Sequence, residues 1–381
     1  MSAIKIVADE NIPALDPLFG QLGQIYRLPG RSMSADQLVD ADVLLVRSVT
    51  QVNRDLLQGS QVKFVGTATI GTDHVDETAL ADLGIQFASA PGCNADAVTE
   101  YVLSVLLHLA DEQSFSIFDK TVGIVGVGNV GSRLAARLQA LGVKTLLCDP
   151  PRVDQDPTIS DQFMSLTHLL NQADIVTLHT PLTHQHLHPT HHLLNANNLP
   201  FLKPNAILIN AGRGPVIDNE ALLSFTEDRP DVTLVLDVWE KEPEVNRQLA
   251  SHVRIATPHI AGYSLEGKIR GTWMLYQAYC AFTDRSPLLR FEDLLPKAEV
   301  TSMTLSETAS LLPPVKLLYD PYHDDRAFRA TLVSDTVEQR RLFDLLRKTY
   351  PVRREFSALK LNLSDHQLAH FKALGFSVSE T

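Results

Sequence analysis

From the N-terminus to about residue 262, stretches that are apolar at every position alternate with stretches whose apolar residues recur every third or fourth place. The first series of apolar runs is "IKIV" at 4–7, "ADVLLVRS" at 41–48, "VKFVGTAT" at 62–69 and "IQFASAP" at 85–91. Runs this continuous fit strands covered on both faces, and their alternation with helical patterns predicts an open parallel sheet with helical crossovers. One long helix follows: "NADAVTEYVLSVLLHLADEQ" sets Val98, Tyr101, Val102, Val105, Leu106 and Leu109 at helical spacing, with Asn94 or Asp96 as candidate N-cap.

A second series comprises "KTLLCDP" at 144–150, "ADIVTLHTP" at 173–181, "AILINAGRG" at 206–214, "TLVLDVWE" at 233–240 and "VRIATPHIAG" at 253–262. Each run ends in polar or glycine-containing residues, and in a doubly wound sheet the ligand crevice lies beyond the carboxyl ends of the strands. After residue 286 the pattern changes: "SLLPPVKLLYDPYHDD" precedes an amphipathic run, "TVEQRRLFDLLRKTY", that predicts a helix with Leu342, Leu345 and Leu346 on one face. The expected architecture is α/β, with two Rossmann-like doubly wound parallel-sheet lobes and a small C-terminal α+β domain.

The stretch "TVGIVGVGNVGSRLAARLQAL" adds chemistry to this outline. Gly126, Gly128 and Gly131 form GxGxxG between a strand and a helix. The first permits the tight turn, the second lets the backbone approach a pyrophosphate, and the third lets helix and strand pack closely, while the N–H groups of Asn129, Val130 and Gly131 face the anion. Asp149 ends the next strand, where its carboxylate would accept from an adenosine ribose and repel a 2′-phosphate. NAD is therefore the expected cofactor, and the neighbouring Arg152 reads as a solvated charge.

Composition narrows the class. A net charge of -12 argues against a general nucleic-acid binder. Cys93, Cys148 and Cys280 are scattered without a CxxC pair, which fits buried small residues in a reducing compartment. The start "MSAIKIVADENIP" has no apolar h-region, and no stretch approaches the ~18 apolar residues of a membrane span, so a cytoplasmic protein without membrane partners is expected.

Three further stretches follow predicted strands: "NAGRGPVID" with Arg213, "LDVWEKEPE" with Glu242 and "ATPHIAGYS" with His259. In this order they resemble the D-2-hydroxyacid dehydrogenase family, whose catalytic Arg, Glu and His occupy these positions. The resemblance implies that His259 is the acid/base, that Glu242 orients it, and that Arg213 binds the substrate carboxylate. It also implies that Thr180, Ala211, Gly212, Asp237 and Gly262 line the cofactor. It further implies a split substrate domain at about 1–95 and 259–285, an NAD-binding domain at 96–258 and a C-terminal domain at 286–381.

Further details, "LLVRSVTQVN", "VGTATIGTDHVD", Tyr263 after the His motif, and above all the C-terminal domain with "LLYDPYHDD" and "FDLLRKTYPVRREF", resemble the subfamily that oxidises 4-phospho-D-erythronate on the way to pyridoxal 5′-phosphate. That resemblance implies a homodimer through the C-terminal domain and substrate contacts from Ser48, Thr69 and Tyr263. A phosphorylated acid needs a second anion site, for which Arg47 is the first candidate. Arg353 and Arg354 would reach the pocket only with the C-terminal domain folded over it. The alternatives are a relative acting on 3-phosphoglycerate and an NAD-sensing binding protein.

The histidine-rich run "HTPLTHQHLHPTHHLL" carries His179, His184, His186, His188, His191 and His192. Zinc needs converging ligands, and adjacent residues such as His191 and His192 point apart in any regular element, so no metal is expected.

Overall fold

The computed structural model describes residues 4–185 and 187–380, and the chain divides into two compact units, 1–94 with 264–297 and 95–263 with 298–381. In the first unit the strands β1 (Lys5–Asp9), β2 (Gln24–Leu28), β3 (Val43–Val46), β4 (Phe64–Thr67) and β5 (Gln86–Ala88) form one parallel sheet in the order β2-β1-β3-β4-β5. Both faces are covered. The helix Leu265–Phe282 returns to this sheet, where Tyr276 and Tyr279 meet the rings of Phe19 and Phe64 edge-on at 5.9 and 5.2 Å.

In the second unit the strands are β6 (Thr121–Val125), β7 (Lys144–Cys148), β8 (Ile175–Leu178), β9 (Ile207–Asn210), β10 (Thr233–Leu236) and β11 (Ile255–Ala256). They too are parallel, in the order β11-β10-β9-β8-β6-β7. The chain leaves β6 for β7 at one edge and then crosses back to β8, so the strand order reverses between β6 and β8. A ligand crevice opens at such a reversal, beyond the strand ends. In the first sheet the reversal lies between β1 and β3.

The helix Ala95–Glu112 is buried along nearly its whole length, and Val98, Tyr101, Val102, Val105, Leu106 and Leu109 all lie in the core. That burial on every side comes from its cover. C-terminal residues Val315, Tyr319, Phe356, Leu361, Phe371 and Phe376 join the same hydrophobic cluster as this helix and β6.

The C-terminal residues add a small parallel sheet, β12 (Ser302–Thr304), β13 (Lys360–Leu363) and β14 (Ser377–Glu380), in the order β12-β13-β14. The amphipathic run is the helix Thr336–Lys348, but its buried face differs from the expected one. Phe343 is buried beside Phe328, Gln339 is buried with its Nε2 donating to Val245 O at 2.8 Å, and Leu345 is exposed. The aromatic ring fills the available space, and a satisfied glutamine occupies a place that apolar patterning alone assigns to leucine.

All three cysteines are buried and none forms a disulfide, and burial pushes the Cys148 thiol up to about 12. Among the described residues, no helix is long and apolar enough to cross a membrane.

Candidate active site

The cofactor half of the site is built at the reversal of the second sheet. Gly126, directly after β6, has φ +84°, and a Cβ there would lie 2.8 Å from Thr180 N at the end of β8. A Cβ on Gly131 would lie 2.0 Å from Gly126 O, so the helix Asn129–Ala140 can start against the strand only with glycine at that position. Around Gly128, by contrast, nothing lies within 4 Å of a Cβ, which leaves room for a ligand against the backbone. The helix has no side-chain N-cap, and Asn129 and Gly128 are exposed, so its first N–H groups are open to an anion.

Asp149 closes this loop from β7. One of its oxygens accepts from Val127 N at 2.7 Å and the other from Arg152 N at 3.2 Å. Arg152 is not a free charge, because its Nη1 donates to Val127 O at 2.9 Å and its guanidinium lies over Phe163. Thr180 Oγ1 is buried without a hydrogen-bond partner, as is His179 Nδ1. Burial also pushes the His179 imidazole down to about 4, so that ring is neutral. An orphaned buried hydroxyl beside an open glycine turn, with a carboxylate at the next strand end, fits a dinucleotide.

Gly212 N donates to Asn210 Oδ1, and a Cβ on Gly212 would lie 3.2 Å from Thr180 O, so β8 and β9 hold their post-strand residues side by side. Ala211 and Gly262 are half-buried.

The residues expected to be catalytic follow β9, β10 and β11. His259 Nδ1 and Glu242 Oε2 are 2.8 Å apart, and Glu242 Oε1 accepts from Trp239 N at 2.8 Å. Burial pushes the Glu242 carboxyl up, but the His259 charge and hydrogen bond, with the Arg347 guanidinium, outweigh it and hold the group below its ordinary value. The carboxylate engages Nδ1, so Nε2 is the ring nitrogen that Glu242 does not hold. His259 sits at φ +59°, a strained conformation for a non-glycine residue.

What holds that conformation is Asp237. It is buried, its Oδ1 accepts from Thr257 Oγ1 at 2.6 Å and Ile260 N at 2.9 Å, and its Oδ2 accepts from Ala261 N at 3.0 Å. Asp237 therefore shapes the loop that presents His259. Arg213 lies in the turn after β9, half-buried, with Nη1 donating to Gly212 O at 3.0 Å. The next residue, Gly214, packs so tightly on the Glu242 loop that a Cβ would lie 2.0 Å from Trp239 O.

In the first unit, Arg47 and Ser48 follow β3 at the reversal of that sheet, and Ser48 is exposed. Thr69 Oγ1 donates to Gly71 O at 2.8 Å and lies 2.7 Å from Thr67 Oγ1, which in turn meets His74 Nε2 at 2.9 Å. The buried Asp9 ends β1 at the same reversal, with Oδ1 accepting from Asn11 N and Oδ2 unpartnered. Sequence reasoning passed over Asp9 and His74. The signal for Asp9, a carboxylate directly past an apolar run, is present in "IKIVADEN", whereas His74 lies beyond the "IGTD" that follows its run.

Two further expectations are corrected. Arg353 does not reach a pocket: it is buried, with Nη1 donating to Ala261 O at 3.0 Å, Nη2 to Ala97 O at 2.6 Å and the guanidinium 3.9 Å over the Tyr319 ring. Backbone carbonyls that need donors took it inward. Nor do His191 and His192 point apart. Their rings stack at 3.9 Å because His192 has φ +50°, which is no regular element, and with Glu240 they bring possible ligand atoms within 4.8 Å of one another. His192 Nε2 is engaged with Glu240 at 2.6 Å, and Glu240 also accepts from Asn219 N. His186 lies outside the described residues.

Residues 94–261 match the model of the D-isomer specific 2-hydroxyacid dehydrogenase, NAD binding domain, and residues 294–375 match a domain of unknown function (DUF3410). The chain is 51% identical over 362 residues to the erythronate-4-phosphate dehydrogenase of Pseudomonas entomophila, covering 94% of each. The chain belongs to the erythronate-4-phosphate dehydrogenase family. The Marinobacter nauticus enzyme of that name is 48% identical over 381 residues, covering 98% of this chain and 99% of its own. Among solved structures, the NAD-bound 3-phosphoglycerate dehydrogenase of Entamoeba histolytica shares the fold, with a TM-score of 0.63 and 24% identity over 74% of this chain and 96% of its own. The chain is thus an NAD-dependent oxidoreductase acting on a small hydroxy acid.

Proposed function

We propose that the protein oxidises 4-phospho-D-erythronate to (R)-3-hydroxy-2-oxo-4-phosphooxybutanoate, a step toward pyridoxal 5′-phosphate, in the cytoplasm and as a homodimer through its C-terminal domain. The observation that carries the chemistry is the 2.8 Å contact between His259 and Glu242. His259 Nε2 takes the proton of the C2 hydroxyl while Glu242 fixes the ring and stabilises the imidazolium that forms. Arg213 offers a planar fork to the substrate carboxylate and polarises the carbon–oxygen bond. NAD supplies the two-electron acceptor. Asp149 and the turn at Gly126, Gly128 and Gly131, with Asn129 and Val130, hold its adenosine and pyrophosphate. Thr180, Ala211, Gly212 and Gly262 line it, and Asp237 supports that wall from beneath.

The substrate itself is named for the relatives that match nearly the full chain. Ser48, Thr69 and Tyr263 are its proposed contacts, with Arg47 on its phosphate. The test incubates enzyme and NAD, with a 2-oxo acid to reoxidise bound cofactor, with 4-phospho-D-erythronate or 3-phosphoglycerate, and follows products by mass spectrometry. Turnover of the first substrate alone, lost in His259→Ala, supports the reading. Turnover of 3-phosphoglycerate alone refutes the substrate, and an unchanged KM in Arg47→Ala removes that residue from the phosphate site.

A further inference from the structure

The C-terminal domain carries one cation to the edge of the catalytic pair. Arg347, near the end of the helix Thr336–Lys348, donates a hydrogen bond to the Tyr263 side chain, and its guanidinium lies 5.6 Å from the Tyr263 ring and 5.7 Å from the Phe343 ring. Tyr350 meets Tyr263 edge-on at 5.6 Å and donates to Asp324 Oδ2 at 2.8 Å. Tyr263, four residues after His259, is thus clamped by two C-terminal side chains. The Arg347 charge also acts on the Glu242 carboxylate, and its own Nε is buried without a hydrogen-bond partner.

We infer that Arg347 is a positioning residue of the active site, by which the C-terminal domain holds Tyr263 in place and sets the charge felt by the His259–Glu242 pair. The inference rests on His259 acting as the base. Its logic is electrostatic. When His259 takes the substrate proton, the Glu242 carboxylate stabilises the imidazolium that forms. The Arg347 guanidinium opposes that stabilisation while keeping the half-buried carboxylate ionised. Glu242, Asp237 and the Tyr263 hydroxyl act on Arg347, and His259 acts on Glu242, while Tyr350, bonded to Asp324, and Arg353, on Ala261 O, are further ionisable groups packed against the same segment. The domain is thereby more than a cover for the helix Ala95–Glu112.

The test compares Arg347→Gln, Arg347→Lys and, as a control on an exposed face of the same helix, Arg341→Gln, in the full-length enzyme. In Arg347→Gln the acid limb of kcat/KM for oxidation is expected to move up by about half a pH unit or more, because the imidazolium becomes more stable. Its substrate KM is expected to rise about fivefold or more as Tyr263 loosens, with NADH affinity unchanged. Arg347→Lys restores the acid limb but not KM, since it keeps the charge and loses the planar stack. A Tyr263→Phe double mutant separates the two effects: coupled KM changes support the clamp, and additive ones overturn it. An unmoved limb and KM in Arg347→Gln overturn the role of Arg347. A wild-type acid limb that survives His259→Ala instead overturns the reading of His259 on which it rests.

Discussion

Replacing Asp237 with Asn changes almost no volume but alters the three hydrogen bonds that its carboxylate accepts from the His259 loop. In the native protein the carboxylate accepts from Thr257 Oγ1, Ile260 N and Ala261 N at 2.6, 2.9 and 3.0 Å, with no water access. The amide keeps one acceptor oxygen for Thr257 and Ile260, and each of those bonds falls from charge-assisted to neutral strength, a loss of about 1 kcal/mol apiece. Its NH2 then confronts the Ala261 N–H, two donors face to face, and the buried bond lost there costs about 1–3 kcal/mol more. A total near 3–5 kcal/mol corresponds to a fall of roughly 6–10 °C in the melting transition of this unit, at about 2 °C per kcal/mol. His259 is held at φ +59° by the same bonds, so the loop relaxes and the imidazole moves off its line to the substrate. A displacement near 1 Å lowers kcat by about 10²-fold. Calorimetry and steady-state kinetics on Asp237→Asn read both numbers. A transition within about 1 °C of wild type, together with kcat within about twofold, would refute the assignment of loop geometry to this carboxylate.

Thr180→Val removes the orphaned hydroxyl at the cofactor site, so the free protein should gain about 1 kcal/mol of stability while NAD affinity falls about fivefold or more. Thermal shift with and without NAD measures the two opposite signs, and a loss of stability in the free protein would show that the hydroxyl has a partner. Glu242→Gln should lower kcat by about 10²–10⁴-fold and move the acid limb of kcat/KM down, opposite to Arg347→Gln, because the imidazolium loses its anion. Burial, with the neighbouring charge of Glu355, raises the buried Glu100 carboxyl from 4.5 to about 8. The folded state therefore holds that proton more tightly than the unfolded one, and its contribution to stability is complete below about pH 4.5 and lost as pH rises through about 8. Glu100→Gln should flatten the decline in melting temperature between those limits, and an unchanged slope would sink the assignment.

By itself, the order of residues determined that two parallel sheets form and where a dinucleotide turn lies, because both are local. Continuous apolar runs and the spacing of Gly126, Gly128 and Gly131 act within one strand–turn–helix unit, and the structure needs glycine at Gly126 for φ +84° and at Gly131 for close approach. Strands with weak patterns were not legible. β2 is an edge strand whose residues are mostly exposed, and β12 to β14 are only three or four residues long.

Other features exist only once distant segments meet. Asp237 reads as a strand-end carboxylate, and its role appears when it turns to accept from Thr257, Ile260 and Ala261. Arg353 looks like a surface cation until carbonyls at Ala97 and Ala261 demand donors in the core. His191 and His192 stack because one backbone dihedral departs from any regular element. Arg347 faces Tyr263 because Phe343, one turn earlier, is the residue the core accepts. Periodicity can say which faces are apolar. Only packing decides which side chain of a face fills the space, and only the enclosed environment decides which charge is left beside a catalytic pair.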